Sequence, residues 1–85
     1  MTVRPPIDRP PTKRQLAVLE FIYEHVAERG YPPSHRDICD HFEWASTVAA
    51  RGHLLALESR GLIKRALGVS RGIRITEKGL ELCQV

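Results

Sequence analysis

Only a few residues, Trp44 and Ala45 among them, stand between two helix-forming patterns, and so short a spacer leaves few ways to arrange what it joins. Upstream, Ser34 and Asp37 make an S-x-x-D capping pattern that opens a short helix containing Ile38 and ending near Glu43. Downstream, Ser46 caps STVAARGHLLALESRGLI, whose helix should run to a stop at Gly61. Two short helices joined by so brief a turn must cross at a steep angle, which is the helix-turn-helix unit.

The flanking sequence supplies the rest of a domain. Thr12 to Gln15 fits a T-x-x-Q capping box opening an earlier helix, with Leu16, Leu19, Ile22 and Val26 at helical spacing and Gly30 as its end. Tyr31-Pro32-Pro33 is a stiff connection, since each proline disfavours helix in the residue before it. After Gly61 the period changes: residues 62–67 and 72–76 read as two strands, with 68–71 as the hairpin loop. A hairpin after the second helix of a helix-turn-helix is a wing. Residues 76–82 form a last turn or short helix, with Leu80 and Leu82 covering the core. The expected class is α+β, mainly α: a winged helix-turn-helix of three helices plus a two-stranded β-hairpin. Residues 1–11, with four prolines, read as a flexible Pro/Arg-rich arm from which Arg4 and Arg9 can reach DNA, and 12–85 as the single domain.

Charge gives the first functional direction. Residues 1–14 carry net +3, 15–44 net −4, 45–76 net +5 and the remainder −1, a block asymmetry expected of a basic working face and an acidic back. On the helix opened by Ser46, Ala50, Leu54 and Leu57 share one face. Opposite lie Val48, Gly52, Leu55 and Ser59, flanked by Ala49 and Arg51, a poor composition for a face meant only to be solvated. The chain of 85 residues is too short for a large enclosed active site, and no Ser-His-Asp, paired-carboxylate or phosphate-loop pattern is present, so an enzyme or a small-molecule substrate is not expected. Cys39 and Cys83 make no disulfide framework; with no apolar span and no signal-peptide h-region, the expected setting is cytoplasmic. His35, Cys39 and His41 lack an evident fourth ligand, so no metal or other cofactor is expected, and Trp44 reads as core rather than as a stacking platform.

The run from Thr12 to about Thr76 resembles the amino-terminal winged helix-turn-helix domain of LexA-type repressors. The matching pieces are TKRQ at the first cap, GYPPS before the second helix, Ile38, Ala49-Ala50, HLLALESRGLI, and SRGIRI in the wing. The resemblance implies sequence-specific binding of double-stranded DNA by a transcriptional regulator, most simply a repressor, without the self-cleaving peptidase domain that such repressors continue into. By this resemblance Thr12, Arg14, His35, Ser46, Ala49, Ser70 and Arg71 occupy DNA-contact positions. Two departures fall on the reading helix. Thr47 and Val48 stand where the family usually has Pro and Asn, and Arg51 and Gly52 stand where it usually has two acidic residues, so an operator other than the usual one is expected.

The chemistry of these residues fits the major groove, which admits an α-helix. Ser46 and Thr47 can hydrogen-bond bases or phosphates, Val48 and Ala49 can pack on thymine methyls, and Arg51 can grip guanine as a bidentate donor. Gly52 weakens a helix by about 1 kcal/mol relative to Ala, a cost that close approach of DNA explains. Backbone contacts are expected from Thr12, Lys13 and Arg14 at one helix amino terminus, Ser34 and His35 at the next, and Ser70 with Arg71 in the wing at 68–72. A homodimer on a palindromic operator suits so small a head. The alternative is a protein-protein interaction module on a winged-helix scaffold, motivated by Leu55 on the outward face.

Overall fold

Each of the first three helices begins at the cap its sequence proposes. The computed structural model describes residues 11–66 and 71–83, in the order α1 (Lys13–Arg29), α2 (His35–Phe42), α3 (Thr47–Ser59), β1 (Ile63–Arg65), β2 (Ile73–Ile75) and α4 (Glu77–Cys83). Thr12 and Gln15 form a complete capping box, as do Ser34 and Asp37, and Ser46 Oγ accepts the Val48 N–H at 3.0 Å. Most of the expected arm, residues 1–10, and loop residues 67–70, Ser70 among them, lie outside the described residues.

Leu62 N–H bonds to Leu57 O and Gly61 N–H to Glu58 O, a Schellman motif that needs the left-handed Gly61 (φ 75°). The end of α2 repeats the pattern, Trp44 N–H to Cys39 O and Glu43 N–H to Asp40 O, with Glu43 at φ 58° where glycine is usual. The turn between α2 and α3 is therefore set by backbone geometry. Cys39 adds a side-chain tie, donating its thiol to Ser46 O at 3.3 Å.

The core gathers Val18, Leu19 and Ile22 of α1, Ile38 and Cys39 of α2, and Ala50, Leu54 and Leu57 of α3 over Leu62, Ile63 and Ile73. The sheet is the antiparallel pair β1–β2 with Ile63 opposite Ile75 and Arg65 opposite Ile73. Both strands are shorter than the expected 62–67 and 72–76.

The last turn or short helix expected at 76–82 is α4, the fourth helix among the described residues: Thr76 Oγ1 accepts the Gly79 N–H and donates to Gly61 O, starting it against the end of α3. Two other expectations need correction. Leu82 does not cover the core: it is exposed and Leu80 half-buried, while Gly79 is buried against Leu62 and Ile75, and Cys83 packs onto the core. Val26 is also exposed, and the neighbouring His25 is buried in its place. A carbonyl can only accept, so the 2.9 Å contact of His25 Nδ1 with Tyr31 O puts a proton on Nδ1 and pins the α1–α2 connection to α1.

Candidate nucleic-acid interface

α3 presents one face to the core and the opposite face to solvent. Ala50, Leu54 and Leu57 are fully buried, whereas Ser46, Thr47, Val48, Ala49, Arg51 and Gly52, the expected base readers, are all exposed. They form a continuous surface over the first two turns. Val48 is 76% exposed, a cost in apolar hydration that contacts among the described residues do not offset, and Leu55 lies two turns on at 44%. A Cβ added at Gly52 meets nothing within 4 Å among the described residues. Packing among these residues therefore gives no reason for glycine there, while helix propensity argues against it.

The cap hydroxyls at Thr12, Ser34 and Ser46 each accept a backbone N–H, which places all three side chains at helix amino termini. No acidic residue sits in the first turn of α1 or α3, so the positive ends of these two helices are left unneutralised by their own side chains. Lys13 and Arg14 are exposed at the first of these ends, and Ser34 and His35 are half-buried at the start of α2. Electrostatics ties α1 to α3: burial first, and then the Arg14 charge, hold the His53 imidazole below its ordinary pKa. Behind this surface Trp44 is half-buried, stacked between Phe42 (4.9 Å) and His53 (5.0 Å), as its core reading requires.

Arg71 is placed differently from its expected role. Its Nη1 donates to Asp37 Oδ2 at 2.7 Å and to Pro32 O at 3.1 Å, and its guanidinium lies 4.7 Å from the Tyr31 ring centre. The bond from Ser34 N–H and the Arg71 guanidinium hold the Asp37 carboxyl below its ordinary pKa, against the effect of burial. Of the suspected metal group, Cys39 is buried on Ser46 O and His41 stacks on Phe21 with ring centres 4.1 Å apart.

Sequence reasoning passed over Lys64 and Arg74. They face each other across the hairpin and are both exposed, so two cations sit side by side. Like charges directly opposite destabilise a strand pair. The alternation of Ile73-Arg74-Ile75 put Arg74 on the outer face, but only the register identifies its partner.

Comparison with known proteins agrees with this geometry. The sequence model of the LexA DNA binding domain matches residues 8–72. The LexA repressor of Ligilactobacillus salivarius (strain UCC118) is 49% identical over 70 residues, covering 82% of this chain and 34% of that protein. Those of Halorhodospira halophila (strain DSM 244 / SL1) and Enterococcus faecalis (strain ATCC 700802 / V583) are 48% identical over 66 residues and 47% over 68. They cover 78% and 80% of this chain and 29% and 32% of those proteins, so the chain spans about a third of the length of the curated relatives it matches. With three helix caps, the turn between α2 and α3, and β1 inside the matched segment, the chain belongs to the LexA DNA-binding domain family.

Proposed function

We propose that the chain represses transcription by binding double-stranded DNA sequence-specifically, with the amino-terminal half of α3 in the major groove. The observation that carries this reading is the outward face of α3: acid-free over its first two turns, with Val48 exposed and Gly52 open to close approach. In this arrangement Ser46 and Thr47 bond base edges or phosphates, Val48 and Ala49 pack on thymine methyls, and Arg51 donates to guanine. Thr12, Lys13 and Arg14 hold one stretch of backbone through the amino terminus of α1, and Ser34 and His35 another through that of α2. Two copies on a palindrome, with half-sites about 34–36 Å or a multiple apart, give the affinity that one head lacks. The role is non-enzymatic, needs no small-molecule substrate and is exercised in the cytoplasm; no helix among the described residues is long and apolar enough to cross a membrane.

Selection of duplexes from a random library, followed by titration of the winning site at several salt concentrations, tests the proposal. A short motif lost on replacing Thr47, Val48 and Arg51 supports it; binding with a steep salt slope and no motif refutes sequence specificity. Leu55, 44% exposed beyond the base-reading turns, favours one second reading, a protein contact. Leu55→Lys should then abolish self-association or partner binding while leaving the fold unchanged.

A further inference from the structure

Building on the DNA-binding reading, we propose that Arg71 is a positioning residue: latched to Asp37, it fixes the hairpin against the start of α2 instead of binding a phosphate. Three anchors converge on its guanidinium, the Asp37 carboxylate at 2.7 Å, the Pro32 carbonyl at 3.1 Å and the Tyr31 ring at 4.7 Å. All three belong to the α1–α2 connection or the first turn of α2, so one side chain staples β2 to residues 34 to 40 positions away in sequence. The carboxylate oxygen that receives Arg71 is also the one that accepts the Ser34 N–H at 3.0 Å in the α2 capping box. Placement of the hairpin and of the α2 amino terminus is thereby set by a single atom.

The backbone agrees. Arg71 adopts φ 62°, in the left-handed region where glycine is favoured, and an arginine held there has side-chain work that offsets the strain. A planar fork that stacks and donates at once is the property lysine lacks. A guanidinium neutralised by a neighbouring carboxylate displaces few counterions from DNA, and a phosphate would have to compete with Asp37 for the same Nη1. His25 completes the surroundings of the carboxylate, its Nε2 at 3.8 Å from Asp37 Oδ2.

The test uses Arg71→Lys, Arg71→Ala and Asp37→Asn in the full chain, with a duplex recovered by selection as probe. Asn keeps an acceptor for the Ser34 N–H and removes only the charge. A positioning role requires all three variants to lose affinity by a similar factor, about tenfold or more, with the slope of log K against log salt unchanged and with Asp37→Asn/Arg71→Ala no worse than either single change. Retained affinity in Arg71→Lys with a slope shallower by about 0.9 in Arg71→Ala would make Arg71 a phosphate ligand and overturn the proposal. Tighter binding by Asp37→Asn would also overturn it, since Asp37 would then be a competitor for the guanidinium. A double-mutant cycle on urea midpoints of the free chain reads the latch without DNA: non-additive changes support it and additive ones refute it. Recovery of no duplex would sink the DNA reading, and the positioning role with it, even with the cycle intact.

Discussion

The Trp44 indole and the His53 imidazole stack 5.0 Å apart with their planes 19° from parallel. Trp44 is the single tryptophan of the chain, so its fluorescence reports on this pair. A protonated imidazole quenches a stacked indole. Burial and the Arg14 charge lower the His53 pKa from 6.5, so the emission should titrate with a midpoint below 6.5. The sign for stability follows: below 6.5 the unfolded chain binds this proton before the folded one, and stability falls until pH passes the lowered folded value. His53→Gln should abolish the fluorescence step, and Arg14→Ala should move it upward. A midpoint at or above 6.5 would contradict the assignment.

Gly52 should separate stability from binding. Alanine there meets no atom of the described residues within 4 Å and removes a helix-interior glycine, so Gly52→Ala is expected to raise stability by about 0.5–1 kcal/mol in urea unfolding. The same methyl projects from the base-reading face. A gain in stability joined to weaker binding of the selected duplex is the expected outcome; unchanged affinity would show that nothing approaches this turn closely.

The legible parts of the molecule were those coded by neighbours in sequence. Thr12, Ser34 and Ser46 declared three helix starts, and Gly30 and Gly61 two ends, because caps and left-handed stops act over three to five residues. The α3 faces followed from helical spacing alone. What stayed hidden depends on long-range placement. Arg71 read as a free wing cation because its partner Asp37 lies 34 residues away, and Val26 fitted the apolar period although the Tyr31 carbonyl selects His25 for burial. The exposure of Leu82 and burial of Gly79 likewise come from the close docking of α4 on Leu62, for which a seven-residue helix gives little periodic signal.

That docking yields a stability prediction. A Cβ at Gly79 would overlap the Leu62 carbonyl and come within 2.7 Å of Ile75 Cγ2. Backbone cannot yield as a flexible side chain does, so Gly79→Ala should destabilise the fold by about 1–3 kcal/mol, despite the better helix propensity of alanine. A higher urea midpoint would show that α4 is displaced at little cost.

Asp37 sets an acid limit on the hairpin anchor. Its carboxyl pKa is lowered from 3.8 by the Ser34 N–H and Arg71, so its contribution is present above 3.8 and is lost as pH falls through the lower folded value. The difference in urea midpoint between the natural chain and Asp37→Asn should be constant from neutral pH down to about 4 and vanish in stronger acid. A difference that persists unchanged into stronger acid would show that the Asp37 charge contributes nothing to the anchor.

Lys64 and Arg74 oppose each other across the two strands, and the repulsion has a direction that can be measured. Removing either charge relieves a like-charge cross-strand pair, so Lys64→Gln and Arg74→Gln should each leave stability unchanged or raise it by a few tenths of a kcal/mol. A folded protein retains such a pair at no net loss when an anion lies over both. If that anion is a DNA phosphate, each substitution should also weaken duplex binding and make the salt slope shallower by about 0.9, uniformly across operator sequences, as expected of a contact that carries no base information. A stability gain with the slope unchanged would instead mark the pair as solvated charges outside the interface, and the phosphate contacts would then rest with α1 and α2.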